Sequence, residues 1–246
     1  MNDVRFCGAG SVASAAGDQL LRLWNVHGKK HVRTLNGHEG VIWSLAATGN
    51  NELFTGSGDG TVRLWEDAWD PQPKCVTEAK VHTVSLSADG RHLAAGTNSG
   101  SVTIWDAATR TLITEEQVSE LPINEIRWHP TLSEFSVAGS DSTVSQWAFE
   151  SGQSSSDRVS PRHRKPHLRH IRTLSGHRRR VFSIADSAAG ASLASAGEDG
   201  TVRLWKSDEL KSATIIHHPG RVFCLAFSTD AEPGRLATGC EDGTLR

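Results

Sequence analysis

His177, Ser195 and Asp199 are the residue types of a base, a hydroxyl nucleophile and an orienting carboxylate, and His38, Thr55 and Asp59 repeat those types earlier in the chain. A single trio of this kind would activate a hydroxyl for acyl transfer. Catalysis needs one exposed nucleophile, whereas a recurring trio fits a device that satisfies buried polar groups. His163, His167 and His170 have metal-like spacing. No Cys or carboxylate lies near them, and the surrounding Arg and Lys repel a cation. No Gly-rich phosphate loop is present. The residues therefore predict no enzyme, cofactor, metal or small-molecule substrate.

A second group of chemically active residues is basic. Between Arg158 and Arg180 lie eight Arg and one Lys, without an Asp or Glu. The whole chain holds 26 basic and 28 acidic residues, so the remainder is acidic. Arg runs pair with carboxylates or phosphates. Ser160, followed by Pro161, and Ser154 to Ser156 are candidate phosphorylation sites, where phosphate would offset the local charge.

The elements that position these residues come from length and periodicity. The 246 residues suffice for a sizeable core. No run of eighteen apolar residues predicts a membrane span. The first residues lack the pattern of a secretory signal, so the expected location is cytoplasmic or nuclear. Cys7, Cys75, Cys224 and Cys240 are widely spaced, which predicts reduced thiols buried as small apolar residues. Twenty-three Gly and eight Trp stand beside no Tyr, a bias that repetition explains.

Segments ending in Trp recur at Trp24, Trp65, Trp105, Trp147 and Trp205, at spacings of 41, 40, 42 and 58. A sixth copy, EDGTLR, runs to Arg246. Small-residue runs precede each, among them LFTGSGDG, LAAGTNSG and LASAGEDG. Gly37-His38 and Gly176-His177 lie further upstream. In the second unit, Val41 to Ala47, Leu53 to Ser57, Thr61 to Trp65 and a stretch near Lys74 to Thr77 read as four short strands. Gly58-Asp59-Gly60 reads as a tight turn needing positive φ.

This series resembles the WD40 repeat family over nearly the whole chain. The resemblance implies an all-β β-propeller of four-stranded blades, one domain over 1–246. The expected blades are 1–35, 36–77, 78–117, 118–174, 175–216 and an incomplete 217–246. About five and a half blades are then present, the expectation for a fragment of a seven-blade propeller. The resemblance also implies a buried hydrogen-bonded set in each good blade: His38, Thr55, Asp59 and Trp65, and His177, Ser195, Asp199 and Trp205. Ser14, Asp18 and Trp24 form a partial set, as do His218, Thr238 and Asp242. Ala95 and Ser99, and Val137 beside Asp141, depart from the pattern, so the blades ending at Trp105 and Trp147 should lean on apolar packing.

In this family the residue after the first apolar residue of the first strand points to the mouth of the central channel and often meets partners. Here those residues are Trp43, His82, Asn124, Phe182 and Phe223. Trp43, Phe182 and Phe223 with Arg178, Arg179 and Arg180 would suit an acidic peptide. Trp69 falls in a loop and Trp128 in a first strand, where it should be core. The long spacing before Trp205 marks a basic, Ser-rich loop insertion at 150–168. It would lie on the opposite face from Arg178 to Arg180, joined to them by a strand from His170 to Leu174. The expected function is a non-catalytic scaffold that presents peptide- or protein-binding surfaces within a multiprotein complex. The alternative is a nucleic-acid-contacting subunit of an RNA-processing or chromatin assembly, acting through the Arg-rich segment 158–180.

Overall fold

A computed structural model of the chain describes residues 2–8, 10–48, 52–65, 72–77, 79–152, 165–206, 214–228 and 234–246, with the side chains of 72–76 left aside. Among the described residues every regular element is a strand. The first sheet runs β1 (Asp3–Phe6), β2 (Ser11–Ala15), β3 (Leu21–Asn25) and β4 (Lys30–Leu35). The second runs β5 (Ile42–Ala47), β6 (Leu53–Ser57), β7 (Thr61–Trp65) and β8 (Gln72–Val76). The third contains β9 (Val81–Leu86), β10 (His92–Thr97), β11 (Ser101–Asp106) and β12 (Leu112–Gln117). The fourth contains β13 (Ile123–Trp128), β14 (Glu134–Gly139), β15 (Thr143–Glu150) and β16 (His167–Ser175). The fifth contains β17 (Val181–Asp186), β18 (Ser192–Gly197), β19 (Thr201–Lys206) and β20 (Thr214–His217). The sixth holds β21 (Val222–Phe227) and β22 (Leu236–Cys240). This is the blade series of a β-propeller: each sheet is an antiparallel meander in chain order.

The chain divides into two compact units, Met1–Leu112 with Gln117–Ile126, and Ile113–Glu116 with Arg127–Arg246. Each buries its core between successive sheets. In the first unit, Leu21, Leu35, Ile42, Leu45, Leu53 and Trp65 form one cluster. In the second, Val144, Leu174, Val181, Ile184, Leu193 and Trp205 form another. The small residues of each second strand have a direct role. A Cβ on Gly56 would fall 2.7 Å from Val81 Cγ1, and one on Gly96 would fall 2.7 Å from Ile123 Cγ2. Glycine at these places lets the next inner strand close against the sheet.

The sheets are also latched by polar groups in their inner strands. Asp3 Oδ2 accepts the Leu45 N–H at 2.8 Å, and Ser44 Oγ accepts the Val84 N–H at 3.2 Å. Thr83 Oγ1 accepts the Ile126 N–H at 3.1 Å, and Ser183 Oγ accepts the Leu225 N–H at 3.2 Å. Each hydroxyl belongs to the residue directly after a β-bulge and accepts from the inner strand of the following sheet.

The Gly58-Asp59-Gly60 turn has the expected positive φ, carried by Gly60 at 80°. Three sequence expectations need correction. The insertion is shorter than 150–168, because Glu150 ends β15 and His167 and Leu168 open β16, paired Glu150 with His167 and Phe149 with Leu168. The strand expected from His170 to Leu174 is β16, longer at both ends because the ladder continues into the insertion. The thiols are not uniformly buried: Cys7 and Cys240 are, whereas Cys224 is exposed on a bulged inner strand.

Candidate functional site

The buried polar set of the second sheet begins where the chain leaves β4. His38 Nδ1 lies 2.7 Å from Asp59 Oδ2, and its Nε2 lies 2.6 Å from Thr55 Oγ1. Trp65 Nε1–H donates to the same Thr55 oxygen at 3.0 Å. Asp59 also accepts the Thr61 N–H and hydroxyl and the Glu39 N–H. The carboxylate accepts a hydrogen bond from Nδ1–H, so Nε2 accepts from the Thr55 hydroxyl, which in turn accepts from Trp65.

The fifth sheet repeats the arrangement. His177 Nδ1 is 3.1 Å from both Asp199 oxygens and its Nε2 is 2.8 Å from Ser195 Oγ. Trp205 Nε1–H donates to Ser195 Oγ at 2.9 Å, and Asp199 accepts the Arg178 N–H at 2.9 Å. Burial lowers the pKa of both His38 and His177, and their aspartates recover only part of that loss. Burial pushes Asp59 up, but hydrogen bonds from Thr61, His38 and Glu39 outweigh it and hold the carboxyl at about 2. Asp199 is likewise held at about 2 against burial, by Arg178 N–H, Thr201 and His177. At neutral pH each set is a neutral imidazole bonded to a carboxylate. Thr55 and Ser195 are fully buried, so neither hydroxyl can reach a substrate.

The partial sets differ. Trp24 Nε1–H donates to Ser14 Oγ at 2.8 Å, while Asp18 pairs with Arg22 at 2.5 Å. His218 turns to the Cys240 thiol, its Nδ1 at 3.3 Å from Sγ, rather than to Asp242. Asp242 instead binds Thr244 and Arg246, and these bonds hold its carboxyl well below the usual range. Thr238 accepts nothing from His218 and lies 3.5 Å from the Arg246 carbonyl oxygen.

In the third and fourth sheets the expected reliance on apolar packing is incomplete. With Ala95 and Val137 unable to accept, Trp105 Nε1–H donates to Thr103 Oγ1 at 3.1 Å, and Trp147 Nε1–H to Ser145 Oγ at 2.8 Å. Each acceptor stands two residues before its Trp, where the complete sheets carry Arg63 and Arg203. Asp141 accepts from Thr143, and Ser99 joins Thr97 and Ser101 in a hydroxyl cluster.

The residues expected at the channel mouth share a local geometry. Trp43, His82, Phe182 and Phe223 are each skipped by the register of their strands, so each is the extra residue of a bulge. In the first unit, Trp43 is exposed with its ring edge-on to His82, centroids 5.9 Å apart. His82 is half-buried and its Nδ1 lies 3.2 Å from the Ile123 carbonyl, a contact that fits holding strands together. Asn124 is half-buried on β13. In the second unit, Phe182 and Phe223 stack with centroids 5.5 Å apart, and Phe223 is 48% exposed. Arg178, Arg179 and Arg180, immediately before β17, are all exposed. Arg179 lies 4.0 Å from Glu198, and Arg221, beside Phe223, lies 3.6 Å from the same carboxylate.

Trp128 is buried against Phe135 and Phe149. Trp69, Ser154 to Ser156, Ser160 and His163 lie outside the described residues. His167 is within reach of Glu150, 3.5 Å away, and His170 of Thr173. Sequence reasoning missed the octapeptides HVRTLNGH (31–38) and HIRTLSGH (170–177). In both, the leading His packs edge-on to a Trp, His31 to Trp24 and His170 to Trp147, and its Nε2 lies 2.9 Å from a Thr hydroxyl. The repeated octapeptide itself was the available signal.

Comparison with known proteins follows these sheets. Residues 12–176 match the model of the Nucleolar protein 10-like, N-terminal domain, a β-propeller. Residues 168–206 and 210–246 match the WD domain, G-beta repeat. Striatin-3 of Homo sapiens is 31% identical over 193 residues, covering 71% of this chain and 22% of its own length. Apoptotic protease-activating factor 1 of Danio rerio is 27% identical over 209 residues, 79% of this chain and 15% of its own length. THO complex subunit 3 of Arabidopsis thaliana is 24% identical over 244 residues, 94% of this chain and 70% of its own length. The chain thus spans only 22% and 15% of the length of the first two.

Proposed function

The chain belongs to the β-propeller family of the Nucleolar protein 10-like, N-terminal domain and carries WD repeats, and on that footing we propose that it is a non-catalytic scaffold for protein partners. The observation that carries the reading is the Phe182–Phe223 pair on the bulges of two consecutive inner strands, beside exposed Arg178 to Arg180. An exposed Phe223 ring backed by the half-buried Phe182, with flanking guanidinium groups, suits an acidic peptide segment. The buried set beneath adds preorganisation, since Asp199 holds the Arg178 N–H and so fixes the root of the Arg run. A relative whose name makes it a subunit of a complex fits the same role.

The nucleic-acid reading draws less support. Arg169 is bonded to Glu150 at 2.6 Å, and Arg172 to Gln146 at 2.5 Å. These groups of the basic segment are engaged within their own sheet. The test is quantitative affinity capture with wild-type and Phe182→Ala/Phe223→Ala baits, each with and without nuclease. Loss of the captured proteins from the variant alone, unchanged by nuclease, is the expected result. Equal capture by both baits, or capture abolished by nuclease, contradicts it.

A further inference from the structure

The periodic tryptophans all spend their indole N–H inside the fold. Trp24, Trp65, Trp105, Trp147 and Trp205 each donate to a hydroxyl of their own sheet. Trp43 does not. It is 41% exposed, and among the described residues none accepts from its Nε1–H. A Cβ on Gly58 would come within 3.3 Å of this nitrogen, so glycine keeps that edge of the ring uncrowded. We propose that Trp43 and His82, in the first unit, form a docking corner for a proline of a partner segment in the polyproline II conformation.

The rings shape the corner. They stand at 64° with centroids 5.9 Å apart, so the edge of one meets the face of the other. The His82 ring is held in place, because its Nδ1 lies 3.2 Å from the Ile123 carbonyl oxygen and must donate to it. Two aromatic surfaces meeting at an angle contact a pyrrolidine ring on two sides. Burial lowers the pKa of His82, so the ring is neutral at neutral pH. A charged side chain therefore finds no counter-ion on either ring.

The unspent donor selects the backbone. An indole N–H only donates, so its partner must bring an acceptor. A polyproline II segment has no internal hydrogen bonds and leaves its carbonyl oxygens open. Proline also has no N–H of its own to strand against the rings. Aromatic-lined sites read proline-rich segments in this way. The segment is already extended when free, so docking orders little of it.

This corner takes a different partner chemistry from the Phe182 surface and stands if that reading fails. The test titrates the full chain with acetyl-hexaproline-amide and with its hexaalanine counterpart, reading affinity by calorimetry and the Trp43 indole proton by NMR. The proline peptide should bind saturably and at least about tenfold more tightly than the alanine peptide. The indole proton should move downfield as a carbonyl oxygen accepts it. Trp43→Phe keeps a ring without the N–H, and Gly58→Ala crowds the N–H, so each should weaken binding by at least about threefold. Gly58 is not at positive φ, so its alanine variant decides the matter if Trp43→Phe fails to fold. Equal binding of the alanine peptide, absence of saturable binding, an indole proton that stays in place, or unchanged affinity in these variants overturns the proposal.

Discussion

The fifth and fourth sheets share a strand order but hold their tryptophans by different chemistry. In the fifth, Trp205 is 1% exposed and donates to Ser195 on the neighbouring strand, which in turn meets His177 and Asp199. In the fourth, Trp147 is half-buried and donates to Ser145 on its own strand. The fifth sheet's bond joins its second and third strands and the preceding loop into one network. The fourth sheet's bond joins nothing beyond one strand. The difference shows that the indole N–H must be satisfied in either case, while the cross-strand network is an added constraint on blade geometry.

The largest way to break the comparison is Trp205→Ala, expected to cost about 3–5 kcal/mol as a large buried residue. Trp147→Ala should cost about half as much, and urea unfolding of the two variants reads the ratio. Next is Asp199→Ala, which strands a buried imidazole and two backbone N–H groups, for about 2–3 kcal/mol. Asp141→Ala removes only exposed bonds to Thr143 and should cost about 1 kcal/mol or less.

Acid sharpens the same contrast. His38 and His177 have pKa values lowered from 6.5, so the unfolded chain takes up their protons first. Their contribution is complete above 6.5 and shrinks as pH falls through and below it. Asp59 and Asp199, held at about 2 against an ordinary 3.8, contribute fully above 3.8 and lose that contribution between 3.8 and 2. Melting temperature measured from pH 8 to 3 should fall in these two stages. His177→Gln should reduce the upper stage.

A smaller effect tests the substitute bond. Thr103→Val deprives the Trp105 indole of its acceptor and should cost about 1 kcal/mol. Adding Ala95→Ser, which restores a hydroxyl on the second strand, should recover part of it, read by a double-mutant cycle. Smallest is Arg169→Ala, an exposed pair with Glu150, at about 0.5 kcal/mol or less.

The blade series was legible because each unit writes its strands in Trp-ended β-branched runs and its turns in glycines, and Leu53 to Ser57 and Thr61 to Trp65 are strands as read. The sets at His38 and His177 were expected from the resemblance to the WD40 family, carried over onto the matching residues of each unit. The latches through Ser44, Thr83 and Ser183 were not seen. A single hydroxyl in an apolar strand carries no period of its own, and its partner is a backbone N–H in the next sheet, far away in sequence. The strand ends of the insertion were missed because polar His167 and Glu150 pair across a ladder whose register no local pattern states. The Thr103 and Ser145 substitutions were hidden for a related reason: a hydroxyl two residues before a Trp matters only once the usual acceptor is gone. A cavity between the fourth and fifth sheets draws on six strands and two loops, which no contiguous motif describes.

The account rests on a division of labour, with buried networks fixing the sheets and the bulges exposing rings at Trp43 and Phe223. Its most direct test is the unfolding free energy of Phe182→Ala/Phe223→Ala in urea. If these rings present a surface, the pair loses no more than about 2 kcal/mol, the scale of one exposed aromatic contact and partial burial. A loss of about 3–5 kcal/mol for each ring would make them core residues and contradict the account.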